Sequence, residues 1–419
     1  MARVAAADVP ADPVRFVHIY FAFAGGYLLS YLYRSVNAVI APDLTHDLAL
    51  TPSSLGLLTG AYFVAFSALQ LPVGMLLDRY GPRRVEPVLL SLGGLGAIAF
   101  ATADDVSGLV AARALIGAGA SACLMAPLKA IATWYPAHRQ ASLSGWIMVA
   151  GGCGALLATT PLEIAVRASS WRTVFVGLSI VTFVAAAVIF WRVPDVPRHP
   201  NAVGLAAQWR GVRAVFAYPR LWWLVPVGGA GIGTFFAVQG LWSVPWLMEV
   251  NGCTRIEAAN HLLVMGVVML GGYLSLGLFA TRLAARGIHA RHLFAAGYAI
   301  NFVALVAIVL EIPGTYLWWP LYGFGVIVNV LAFPVLNDGL PPELAGRSNT
   351  ATNLLMFGCS FVAQWGIGVM VDVARTSLGY DTASGLRLAF TVCLAIYALA
   401  FLWFFHGWKR YAQPRARTA

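Results

Sequence analysis

Gly74-Met75-Leu76-Leu77-Asp78-Arg79-Tyr80-Gly81-Pro82-Arg83-Arg84 decides the reading of this chain, because a weaker copy, Gly277-Leu278-Phe279-Ala280-Thr281-Arg282-Leu283-Ala284-Ala285-Arg286, returns 203 residues later. Both copies are short basic loops that follow a long apolar run. A chain of two similar halves is implied. The copies differ at one informative position, where Asp78 of the first is Thr281 of the second.

Composition sets the solvent. With 60% hydrophobic residues, 11% charged and a mean hydropathy of +0.76, a soluble domain of 419 residues is excluded. Apolar runs of ~20 residues, the length that crosses ~30 Å of hydrocarbon as a helix, recur along the chain. Twelve are expected: residues 17–40, 55–77, 85–103, 106–134, 141–162 and 171–191, then 221–248, 258–280, 292–310, 318–336, 351–373 and 388–408. The expected fold is therefore an all-α polytopic membrane protein. Its six-helix halves are residues 1–191 and 221–419, joined by a polar, proline-bearing linker, 192–220, on the cytoplasmic side.

Basic residues orient the chain, since cytoplasmic loops keep Lys and Arg. With both termini inside, 20 of the 27 fall on the cytoplasmic side. Arg167, Arg172, Arg255, Arg375 and Arg387 fall outside, and Arg34 and Arg113 lie within apolar spans. The net charge of +10 is thus a topology signal, and no nucleic-acid partner is inferred. The first apolar run is too long for a cleavable signal. Five scattered cysteines without CxxC spacing argue against a disulfide framework or structural zinc.

The spacing of Gly74, Asp78, Arg79, Gly81, Arg83 and Arg84 resembles the loop between helices 2 and 3 of the major facilitator superfamily. That resemblance implies a secondary transporter, a monomer in a bacterial inner membrane, with a small-molecule substrate, lipid around it and no cofactor. It also implies that Asp78 meets the N-terminal end of the eleventh helix while the cytoplasmic side is closed, with the arginines holding the loop. Thr281 would weaken the symmetrical contact. Arg113-Ala114-Leu115-Ile116-Gly117-Ala118-Gly119 matches a second superfamily pattern, in which Arg113 is either an anchor or part of a proton path. Pro341 to Arg347 and Tyr135 to Arg139 each join the fourth and fifth helices of a half. Drug antiporters of the superfamily usually carry a Gly-Pro pair where Cys153-Gly154-Ala155 stands here, which lowers the multidrug reading. Tryptophans near span ends, among them Trp222, Trp223, Trp246, Trp318, Trp319, Trp403 and Trp408, are expected to form an interfacial belt.

Substrate chemistry points to the first helix. Tyr27, Ser30, Tyr31, Arg34 and Asn37 form a polar stripe at helical spacing, which is costly against lipid and so belongs to a cavity between the halves. The run Tyr31 to Leu44 resembles helix 1 of the organic-anion and phosphate-ester branches, where an arginine contacts the anionic group. A guanidinium stays ionised and its planar fork matches a carboxylate. The competing reading is that Arg34 snorkels to the outer interface. Lys129 is either a second anchor or an inner-interface lysine. The phosphate-ester carriers have a further helix 7 arginine and helix 5 histidine that this chain lacks. Gln239, Trp242, Tyr322 and Asn329 remain as polar contributors, which suits a monoanionic organic acid.

His261, Met265 and Met269 put soft ligands on one helical face, the pattern that would suit Cu(I) in a copper importer. Methionines at this spacing also serve as packing. A non-transporting sensor on the same fold is a further alternative. No carboxylate is expected in mid-span, with Glu163, Asp338 and Asp372 near ends, which leaves His261 as the candidate for a coupling group whose ordinary titration range lies near neutrality. Symport with a coupling ion, coupling through the substrate and facilitated diffusion all fit. No nucleophile with its base, metal cluster or phosphate loop marks an enzyme.

Overall fold

The computed structural model describes residues 13–135, 137–195, 213, 215–337 and 342–411, all helix or short connection with no strand among them. In chain order the first half contains α1 (Pro13–Leu48), α2 (Pro52–Ala68), α3 (Gln70–Tyr80), α4 (Pro82–Thr102), α5 (Val106–Ala120), α6 (Met125–Trp134), α7 (Ala137–Leu157), α8 (Thr160–Ala168) and α9 (Trp171–Arg192). The second half contains α10 (Pro219–Ala237), α11 (Ser243–Glu249), α12 (Arg255–Ala285), α13 (Ala290–Val309), α14 (Thr315–Val326), α15 (Ala332–Asn337), α16 (Pro342–Leu378) and α17 (Thr382–Tyr411).

Proline accounts for the number of pieces. α2 and α3 meet at 45° and α7 and α8 at 43°. Pro72 and Pro161 stand just past those breaks, where each withholds an N–H from the carbonyl four residues back. Pro127 follows the α5–α6 break in the same way. Pro245 follows a π-helical turn, Val238–Trp242, and Pro334 follows a 3₁₀ turn, Ile327–Leu331. Sound helix starts flank these bends: Thr51, Asp105 and Ser170 each accept a backbone N–H of the first turn with a side-chain oxygen.

Among the described residues nine helical segments are long and apolar enough to cross a membrane, and the two bent pairs pass together. α1 is not among them, because its Tyr, Ser, Arg and Asn residues dilute its apolar character. With α1 the order is consistent with the expected twelve. Most of the expected linker, 192–220, and Asp338 and Pro341 lie outside the described residues. Part of the aromatic belt is corrected: Trp223, Trp246 and Trp319 are fully buried, and Trp223 donates to the Phe404 carbonyl at 2.7 Å. Trp222 and Trp403 remain exposed.

The halves touch chiefly where α2 crosses α16. Small residues permit that approach. A Cβ on Gly56 would lie 2.6 Å from the Gln364 carbonyl oxygen, and one on Gly368 would lie 2.3 Å from that of Pro52. Past the 45° bend α3 diverges and barely meets α16. The bundle is therefore closed at one end, here the far end, and splayed at the end where α1 begins and α17 finishes.

Candidate functional site

Arg34 sits at the convergence of the two halves and is only 5% exposed. Its guanidinium carbon lies 4.4 Å from the Tyr31 ring centre, 5.4 Å from Phe66, 5.1 Å from Phe236 and 5.4 Å from Phe357. Tyr31 and Phe66 come from α1 and α2, Phe236 and Phe357 from α10 and α16. Its electrostatic neighbours are Tyr62, Tyr31 and Tyr27, with no carboxylate among them, and its Nε has no hydrogen-bond partner. Snorkelling is thereby overturned, since the side chain is held inside the bundle. A buried cation facing rings can accept an anion, and those rings offset part of its desolvation.

The stripe on α1 follows it. Asn37 donates to the Thr59 hydroxyl at 2.7 Å and leaves its own Oδ1 free. Ser30 and Tyr62 hydroxyls stand 3.5 Å apart, and Tyr27 points to the Met148 sulfur at 3.6 Å. A small pocket beside Tyr31 is lined by Gln239, Met148, Met269 and Tyr273. The π turn of α10–α11 carries Gln239 there. Gln364 was missed in the sequence reading: both atoms of its side-chain amide are buried without a partner. A Cβ on Gly240 would lie 3.5 Å from the Arg34 carbonyl and 3.9 Å from Gln364 Oε1, which puts that orphan amide beside α1. A glutamine well inside the apolar run 351–373 was the available signal. Phe66, Phe236 and Phe357 gave none, because aromatics in apolar spans look like packing.

Other predicted residues fall elsewhere. Tyr322 is fully buried against Phe235, and Asn329 accepts the Tyr298 hydroxyl at 2.8 Å, so both belong to the packing of the second half. Trp242 donates to the Gln364 carbonyl at 3.0 Å. Lys129 forms an ion pair with Asp78 at the splayed end, away from the Arg34 rings. Asp78 thus meets Lys129 in this conformation, on the part of α3 that diverges from α16 past the bend. Arg84 and Arg83 bond Asp195, at 2.9 and 3.4 Å, and Arg83 also reaches the Phe190 carbonyl. Arg79 lies over Tyr80. Gly81, at φ 77°, makes the turn between α3 and α4 that only glycine takes easily. Gly74 has open space around it. The side chains of Thr281 and Arg282 lie outside the described set. Arg113 is fully buried and donates to the Tyr33 carbonyl at 2.9 Å, which ties α5 to α1.

On the predicted copper face both nitrogens of His261 already have partners. His261 engages the Glu257 carbonyl at 2.8 Å and the Thr315 hydroxyl at 2.9 Å through its two nitrogens, and it stacks on Tyr316. Met265 and Met269 both pack over Gly323, and Met269 also lines the central pocket. No cluster of three or more His, Cys, Asp or Glu with metal-binding geometry occurs among the described residues.

At the far end charged contacts join the halves. Arg255 of α12 bonds Asp43 of α1 and Glu163 of α8, and Asp372 of α16 accepts the Ser53 backbone N–H at 2.9 Å. Thr160 donates to Asn260 at 2.8 Å.

An all-helical bundle of this order, with a buried cation between its halves, defines a membrane transporter fold. The Major Facilitator Superfamily model matches residues 23–364, and the chain belongs to that family. It is 29% identical over 176 residues to a hexuronate transporter of Escherichia coli strain K12, across 42% of this chain and 41% of that protein. It is 21% identical over 408 residues to the niacin transporter NiaP of Acinetobacter baylyi, across 88% of this chain and 89% of that protein. The hexuronate match thus spans less than half of its relative. Among solved structures, a bacterial homologue of the human lysosomal transporter Spinster, inward-facing and unoccupied, superposes with a TM-score of 0.76 at 18% identity, over 98% of this chain and 100% of that one.

Proposed function

We propose that the protein is a secondary carrier for a small organic monoanion, working by alternating access, with both termini in the cytoplasm of a bacterial inner membrane. The observation that carries this is Arg34, a permanent cation at the junction of the halves with no acid beside it. The splayed terminus end is then cytoplasmic and the conformation inward-open.

The wall around Arg34 narrows the substrate. Four rings and few free polar atoms suit a carboxylate on a flat, largely apolar body better than a polyhydroxylated acid, whose hydroxyls would lose hydrogen bonds there. A relative named for niacin, a planar aromatic carboxylate, supports that choice. Uptake of labelled nicotinate, benzoate and D-galacturonate into proteoliposomes tests it. Nicotinate or benzoate should be taken up and should outcompete galacturonate by at least about tenfold, equivalent to ~1.4 kcal/mol. Preference for galacturonate would overturn the planar assignment, and failure of all three would remove the organic-acid reading.

A further inference from the structure

Glu86, on the first turns of α4, is 0% exposed and neither of its carboxyl oxygens has a hydrogen-bond partner. The only other fully buried carboxylate among the described residues, Glu163, is bonded to Arg167 and Arg255. Glu86 is therefore the one buried acid without a counter-charge. It also sat in the sequence as the second residue of the third apolar span, where the emphasis on mid-span acids passed over it.

Its surroundings are specific. Oε1 lies 2.5 Å from where a Cβ on Gly26 would stand, so the absence of a side chain at Gly26 makes room for the carboxyl against α1. Cys123, from the α5–α6 connection, is within electrostatic reach of both Glu86 and Arg34. Arg34 leans toward the start of α1, as helical side chains do, and its guanidinium lies beside Tyr31. At ~1.5 Å of rise per residue the level of Tyr31 is roughly 7 Å above that of Gly26. Of the other charged groups, Asp78 on α3 pairs with Lys129 on α6, and Arg113 on α5 gives one nitrogen to the Tyr33 carbonyl while its Nε and Nη2 have no partner. α9 presents Ser179, which does not titrate.

We propose that Glu86 is the proton-binding site that couples transport to a proton gradient. This rests on the organic-anion reading above. An unpaired carboxylate in a packed helical bundle is costly, so the conformation seen here accommodates the carboxylic acid. With Glu86 neutral, no second negative charge in that half opposes a substrate anion at Arg34. Loss of the proton breaks the Glu86 O–H bond and delivers H⁺ to water at the splayed end. The negative charge left behind, against α1 at Gly26 and not paired with Arg34, disfavours a second anion in the same half and favours substrate release. Uptake of a proton from water on the other side re-forms the O–H bond and resets the site, so one proton accompanies each monoanion.

The test uses full-length wild type and Glu86→Gln in proteoliposomes, with nicotinate as probe, together with infrared difference spectra of the substrate-free proteins. In wild type the carboxylic-acid C=O band should titrate with pH, and apparent nicotinate affinity should change up to about tenfold per pH unit across that titration. Glu86→Gln should lack the band, retain nicotinate exchange within about threefold, and show less than about twofold pH dependence. A titrating band that persists in Glu86→Gln, or proton-driven accumulation equal to wild type, overturns the proposal. If Glu86→Gln does not fold, Gly26→Ala displaces the carboxyl instead, and an unchanged pH profile in that variant overturns it equally. Should wild type bind none of the organic acids, the substrate reading fails, while the infrared band still decides whether Glu86 holds a titrating proton.

Discussion

Arg255 donates Nη1 and Nη2 to the carboxylate of Asp43, at 2.8 and 2.5 Å, across the boundary between the halves. Its Nε reaches Glu163 at 2.7 Å, and Nη2 also meets the Val39 carbonyl at 3.1 Å. Both members of the Arg255–Asp43 pair are mostly shielded, with side-chain exposures of 18% and 27%. The pair closes the far end, and opening that end must break it.

Arg255→Ala should therefore shift the population toward conformers open at the far end. Charged hydrogen bonds of this kind are worth ~1.5–3 kcal/mol, so the shift should be on the order of tenfold or more. Labelling of a single cysteine at Thr59, buried beyond Arg34, in a background without the five native cysteines measures it. Unchanged labelling would refute the latch.

Removing the central cation isolates substrate binding. Arg34→Ala should abolish nicotinate binding and uptake while expression and thermal stability stay near wild type, because the charge makes no ion pair whose loss would strand an acid. Arg34→Lys should recover only part of the affinity, since an ammonium lacks the planar fork. Wild-type uptake by a well-folded Arg34→Ala protein would end the site assignment.

The Asp78–Lys129 pair carries the opposite expectation. Asp78 is 59% exposed and Lys129 28% exposed, so the contact contributes no more than ~1 kcal/mol. Asp78→Asn should leave melting and labelling at the splayed end unchanged in this conformation, where that end is already open. If Asp78 meets the eleventh helix when the end closes, the variant should instead slow the transport cycle with binding intact. Faster labelling at the splayed end under resting conditions would show that the carboxylate already restrains it.

Why the fold was legible and half of the site was not follows from the kind of signal each leaves. Apolar length, basic loops and the repeat of Gly74 to Arg84 are local or periodic, and they gave the helical membrane architecture directly. Arg34 was visible because a charge in an apolar run costs energy that demands a reason. Glu86 and Gln364 carried the same signal more weakly and were overlooked. The rings around Arg34 and the Arg255 latch are different, since which helices meet across the halves is a tertiary fact with no periodicity. The choice between the two readings of Lys129 was hidden for that reason too: its partner, Asp78, is 51 residues away in sequence.

His261 separates a structural imidazole from a functional one. It is 2% exposed, bridges the Glu257 carbonyl and the Thr315 hydroxyl, and stacks on Tyr316 at 3.7 Å between ring centres. His261→Ala removes that bridge between α12 and α14 and leaves the half-buried Thr315 hydroxyl to find a new partner, at a cost of ~0.5–1.5 kcal/mol. The expected result is a lower melting temperature with an unaltered pH profile of nicotinate uptake. Combined with Met265→Ala it should leave the copper content of expressing cells unchanged, since both ring nitrogens already have partners. A flattened pH profile in His261→Ala, with Glu86→Gln still pH-dependent, would transfer the coupling role from α4 to α12. A fall in copper content specific to the double variant would restore the metal reading.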